Sequence, residues 1–147
     1  MKKSHFWNKY KFENVDGIID TNDPIIKTDN KNFIVELASI NDYVCIYLFM
    51  KYNYPILYDE IYFMNFLKSE HNLVLKLKHN NNIIGIITGK LCNLNIGKSY
   101  IINHLCIKKE YRNMDLCTIL ISKISRIIYL KKKFIIQYFR VKIKYLI

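Results

Sequence analysis

Residues 99–127, SYIINHLCIKKEYRNMDLCTILISKISRI, constrain the fold more than any other stretch of the chain. An apolar run of strand character, 100–107, meets a basic knot of Lys108, Lys109 and Arg112. A helical pattern follows, with Leu116, Ile119, Leu120, Ile124 and Ile127 recurring at three- and four-residue intervals over 115–129. A strand that opens directly into a helix presents unpaired N–H groups and the positive end of the helix dipole. That is a seat for an anion, pyrophosphate among them, and Arg112 stands just before it with a bidentate donor set. A solvated surface turn is the plainer alternative.

The rest of the chain supplies elements around this junction. Phe33-Ile34-Val35-Glu36-Leu37 reads as a first strand. Asn41 is placed to cap a helix over 41–51, which must stop before Pro55, and a second helix is predicted over 58–67. Leu73, Leu75 and Leu77 alternate with Val74, Lys76 and Lys78, the pattern of a half-exposed strand. Asn80-Asn81-Asn82 turns it into a partner strand over 83–91, and a final strand is predicted over 134–139. The expected order is β, α, α, β, β, β, α, β in a single mixed α+β domain over 33–147. Residues 1–32 are polar, with turn signals at Asp16-Gly17 and Asp23-Pro24, and read as an arm laid over that domain.

Composition narrows the function classes. A chain of 147 residues, 51% of them hydrophobic, can bury a core of its own. The net charge of +11 favours an anionic partner such as a nucleotide-bearing cofactor, although a solvated charged face explains much of the C-terminal excess, Lys131 to Lys144. No strand carries the interleaved aromatic and basic residues of a nucleic-acid reader, so nucleic acid is not expected as a partner. Cys45, Cys92, Cys106 and Cys117 have no zinc-like spacing and lie in apolar surroundings, so buried free thiols and no metal are expected. No uncharged apolar stretch reaches the length of a membrane span and no signal core follows Met1, so a soluble cytoplasmic protein is expected.

Three antiparallel strands followed by strand, anion loop, helix and strand resemble the GNAT-like acyl-CoA transferase fold. In that fold the fourth and fifth strands splay apart, pantetheine lies between them, and the pyrophosphate meets the helix N-terminus. IINHLCIKKEYR resembles one branch more closely, the N-myristoyltransferases, whose signature runs E-I-N-F-L-C-V-H-K-K-L-R and then S-K-R-L-A-P-V-L-I. Asn103, Leu105, Cys106, Lys109, Arg112, Leu116, Leu120 and Ile121 match it. HFWN at 5–8 is similar to the family's F-W segment, NDPI at 22–25 to its early G-P-I, and Gly85 stands where it has V-G-F-I-S. The resemblance covers the whole chain as the N-terminal, acyl-CoA-binding half of that enzyme, with the match fading after Phe139 as truncation would leave it.

The resemblance implies a set of roles. Backbone N–H groups of His104 and Leu105 form an oxyanion hole for the thioester carbonyl, with Asn103 orienting the substrate amine or holding a strand bulge. Leu105, Cys106, Ile107, Arg112, Asn113, Asp115, Leu116 and Cys117 line the coenzyme A, and His5, Phe6 and Trp7 cover the acyl-CoA from the arm. Cys106 is expected in the core, not as a nucleophile, and strand alternation sends the His104 side chain to solvent. The co-substrate implied is myristoyl-CoA and the acceptors are proteins with N-terminal glycine. A second chain is then a candidate for the missing half, which carries most of the peptide groove and the proton-accepting carboxylate. Departures from the family are Ile101 for its Glu, Lys108-Lys109-Glu110 for its His-Lys-Lys, and Asn113-Met114-Asp115-Leu116-Cys117 for S-K-R-L-A. YNYPILYDE retains only Asp59 and Glu60 of an acidic stretch. A small acetyltransferase of the same fold and a non-catalytic acyl-CoA-binding remnant are the alternatives.

Overall fold

The computed structural model describes residues 33–95, 97–130 and 136–139, the last four by backbone alone. Strands β1 (Phe33–Leu37), β2 (Leu73–His79), β3 (Asn82–Leu94) and β4 (Gly97–Ile107) form an antiparallel meander. Strand β5 (Ile136–Phe139) adds to the free side of β4 in parallel, giving one sheet in the order β1-β2-β3-β4-β5. Helices α1 (Tyr43–Asn53) and α2 (Glu60–Lys68) connect β1 to β2, and α3 (Leu116–Leu130) connects β4 to β5. The class and order of elements are those read from the sequence. The arm over 1–32 and the basic cluster at 131–133 and 140–144 lie outside the described residues.

Each face of the sheet has its own core. Helix α3 lays Leu116, Ile119, Leu120, Ile124 and Ile128 on Leu73, Leu75, Leu77, Ile87, Tyr100 and Ile102. On the other face, Ile46, Phe49 and Met50 of α1 and Phe63 and Phe66 of α2 cover Val74, Ile86 and Cys106. This second cover corrects the expectation of a half-exposed β2. Val74 is buried along with its leucine neighbours, because helices sit on both sides.

Local chemistry sets the boundaries. Asn80 and Asn81 both take positive φ, 49° and 65°, between the paired His79 and Asn82, the conformation a two-residue hairpin requires and asparagine tolerates. Ser39, not Asn41, opens the first helical segment. Its amide donates to the Asp42 carboxylate at 2.8 Å, and a 3-10 turn over Ile40–Asp42 leads into α1. The chain leaves α1 at Asn53, two residues before Pro55, and Asp59 caps α2 by accepting from the Ile61 amide. Cys45 is exposed, against the expectation of four buried thiols, because α1 buries Ile46, Phe49 and Met50 and turns its neighbour outward. Among the described residues no helix is long and apolar enough to cross a membrane.

Candidate active site

The functional candidates converge on β4. Register with β3 pairs Ile86 with Cys106 and Thr88 with Asn103, so Ile87 faces both His104 and Leu105. This is a β-bulge, one extra residue in β4, and His104 carries it with φ of 54°. A left-handed histidine costs about 1–2 kcal/mol that the surroundings must offset. The bulge also resets which face each side chain meets. Before it Tyr100 and Ile102 point at α3, and after it Leu105 and Ile107 do.

His104 is 2% exposed, which corrects its expected position in solvent. Its ring enters the face covered by α1 and α2 and is surrounded by the rings of Tyr54, Tyr58, Tyr62, Phe63 and Phe66, with centroids 5.2 to 6.1 Å away. Strand alternation fails as a guide here because both faces are covered. Burial holds the His104 pKa down at about 4, so the ring is neutral at physiological pH.

Each nitrogen of that ring meets a hydroxyl, and the bond from Thr88 to Asn103 favours one tautomer. The Thr88 hydroxyl donates to the Asn103 carbonyl at 3.1 Å and lies 2.6 Å from His104 Nδ1. A hydroxyl has one proton, so at the ring Thr88 accepts and Nδ1 carries the hydrogen. Nε2 is then bare and accepts from the Tyr62 hydroxyl at 3.1 Å. Burial, with the neighbouring Tyr58, raises the Tyr62 pKa and keeps that hydroxyl protonated. In front of the bulge, the His104 amide donates to Asn103 Oδ1 at 2.8 Å. Asn103 thus contacts the bulge it was expected to hold.

Beyond the bulge the strand runs into the basic knot. The helix does not open directly from the strand as expected, since residues 108–115 intervene with a 3-10 turn over Lys109–Tyr111 and left-handed residues at Asn113 and Asp115. Tyr111 pins the loop by meeting His79 Nδ1 at 2.9 Å, where Phe33 stacks on the same imidazole. Arg112 folds back and donates from Nε to the Ile107 carbonyl at 3.0 Å. Its charge works against the effect of burial on the Cys106 and Cys117 thiols, yet burial prevails and pushes both up to about 11. Neither is a thiolate nucleophile, and Cys106 donates to the Asn53 carbonyl within the core.

Among the described residues, strand β5 pairs with β4 from Ser99 to Ile102. The structure brings Asn103, His104 and Leu105 together at the bulge, and Cys106, Ile107, Arg112, Leu116 and Cys117 along the path to α3. His5, Phe6 and Trp7 lie outside the described residues. Sequence reasoning missed Tyr62 and Thr88. The spacing of Tyr54, Tyr58 and Tyr62 at four-residue steps was the available signal for the aromatic shell. Among the described residues no three His, Cys, Asp or Glu side chains gather as a metal site.

Comparison with known proteins places this geometry. The family model for myristoyl-CoA:protein N-myristoyltransferase, N-terminal domain, matches residues 40–142. A sequence comparison with curated proteins finds no match. Among solved structures, an aminoglycoside acetyltransferase from an uncultured soil metagenomic sample, meta-AAC0020 in complex with trehalose, superposes with TM-score 0.64 at 14% identity, over 77% of this chain and 80% of that one. Arabidopsis thaliana NAA60 in complex with acetyl-CoA gives 0.64 at 16% identity, over 73% of each chain. A possible acetyltransferase from Clostridium difficile 630 gives 0.62 at 15%, over 76% and 81%. These acetyltransferases share the fold.

Proposed function

The chain belongs to the N-myristoyltransferase family, as its N-terminal domain, and on that footing we propose that it binds a long-chain acyl-CoA and presents the thioester to the N-terminal glycine amine of a protein. The observation that carries the reading is the bulge at His104 and Leu105, whose first amide donates to the side chain of Asn103. If Asn103 swings aside, a thioester oxygen takes its place.

The chemistry follows from what the bulge supplies. The amine nitrogen attacks the thioester carbon, and the carbonyl oxygen becomes an oxyanion accepted by the His104 and Leu105 amides. The C–S bond then breaks, coenzyme A leaves as the thiolate, and the amine proton passes to a base or to water. A donor aimed at such an oxygen is typically worth about 3–4 kcal/mol in the transition state. Transfer is direct, because Cys106 is protonated and engaged with Asn53. Arg112 and the loop 108–115 leading into α3 fit the coenzyme A phosphates. Each methylene of an acyl chain buried against the domain contributes about 0.8 kcal/mol.

Calorimetry with myristoyl-CoA and acetyl-CoA tests the reading. Tighter binding of the myristoyl thioester is expected. Equal affinities would leave a short-chain acetyltransferase of the same fold, and no binding of either would leave a remnant without acyl-CoA function.

A further inference from the structure

We propose that Tyr62 and Thr88 are positioning residues for the acyl-transfer site, acting through the His104 ring to hold the bulge amides in place. This rests on the oxyanion-hole reading of the bulge and adds a device to it. The signature that this stretch resembles has phenylalanine where this chain has His104, a ring with no polar atom to satisfy. Here the ring brings two nitrogens into an aromatic shell, and both find partners there: Nδ1–H on Thr88, and bare Nε2 on Tyr62. The relay ends on the carbonyl of Asn103, the residue whose side chain caps the His104 amide in front. One chain of hydrogen bonds therefore runs from α2 through the His104 ring and β3 to the peptide between Asn103 and His104, on the N-terminal side of the left-handed residue.

The consequence is specific to this combination of residues. With phenylalanine at position 62, Nε2 of the buried His104 ring loses its hydroxyl partner among Tyr54, Tyr58, Phe63 and Phe66. The ring must then turn or leave, and the backbone that carries it moves. With phenylalanine at both 62 and 104 no nitrogen remains to be satisfied, and the apolar shell accepts the ring. Tyr62 thus matters only while position 104 is histidine.

The experiment reads the thioester carbonyl directly, by 13C NMR of [1-13C]myristoyl-CoA bound to the full chain, with the affinity for free coenzyme A as a control on the nucleotide seat. Wild type should move the carbonyl signal downfield. Tyr62→Phe and Thr88→Val should lose that shift while holding coenzyme A as before, and the Tyr62→Phe/His104→Phe double variant should regain it. If wild type shows the shift and Tyr62→Phe keeps it whole, the positioning role is refuted and the oxyanion hole stands. If wild type shows no shift, both readings fall. Should Tyr62→Phe not fold, 15N NMR of the wild-type histidines decides. A His104 protonated on Nδ1 and bare on Nε2 supports the relay, and the opposite tautomer overturns it.

Discussion

Replacing His104 by phenylalanine should flatten the acid side of the stability profile, and the size of the effect follows from the burial of the ring. A histidine in the unfolded chain titrates near 6.5, whereas in the fold it is held down at about 4. The unfolded state therefore binds the proton first, and stability falls as pH drops from 6.5 toward 4. Full stabilisation is present above the unfolded value and is lost as pH falls through the folded one. The loss integrates to about 2 kcal/mol by pH 5 and about 3 kcal/mol by pH 4, from 1.36 kcal/mol per pKa unit.

Urea denaturation of wild type and His104→Phe at pH 7, 6, 5 and 4.5 isolates this contribution, since every other group titrates in both proteins. Asp42 acts in a lower window. Burial works to raise its pKa, but the Ser39 amide and Lys76 outweigh that and hold it below 3.8, so its contribution is lost only further into acid. The stability of wild type relative to the variant should decline by the amounts above. Parallel curves would mean that His104 is either solvated or charged in the fold, and the buried relay with it would be wrong.

Other expectations follow from the same geometry. Gly85 has no room for a branched side chain, since a Cβ there sits 2.7 Å from Ile107 Cδ1 and 3.3 Å from Leu77 Cβ, so Gly85→Val should cost about 2 kcal/mol by thermal unfolding. Asp115→Asn removes a charge from the junction while keeping a residue that tolerates φ of 58°. It should tighten coenzyme A by about fivefold at low salt, on a screened interaction near 1 kcal/mol, and by less at high salt; an affinity unmoved at either salt removes the phosphate from this loop. Acyl transfer to a glycine peptide by this chain alone should be slow and should rise with pH toward the amine pKa of about 8, because His104 is a weak base with Nε2 already engaged. Rapid turnover with a bell-shaped profile near neutrality would reveal a base in the chain and refute that account.

Much of the architecture was legible because it rests on local periodicity. The three- and four-residue steps of Leu116 to Ile127 specify the face α3 turns to the sheet, and paired asparagines at 80 and 81 mark a tight hairpin. What escaped was set by tertiary cover. Val74 reads as an outward residue by alternation, and only the placement of α1 and α2 over the second face buries it. The loop 108–115 reads as a basic knot, and its shape depends on Tyr111 reaching His79 in another strand, a contact between residues 32 apart.

The site shows the same division at closer range. The motif around Asn103 and Leu105 locates the bulge, because backbone donors do not depend on which side chain stands at 104. The side chain itself is another matter. A histidine in the left-handed region, buried on a face lined with aromatic rings, is stable only if both nitrogens are bonded, and its partners come from residues 42 and 16 positions away. Thr88 carries no motif, and the four-residue spacing of Tyr54, Tyr58 and Tyr62 points to an aromatic shell without naming Tyr62 as the partner of a ring nitrogen. Their importance arises from the polar ring standing where the family has an apolar one, so the departure from the family pattern is itself the pointer. A substitution that adds two buried hydrogen-bonding atoms demands two new partners, and looking for those partners leads from the strand to Tyr62 and Thr88.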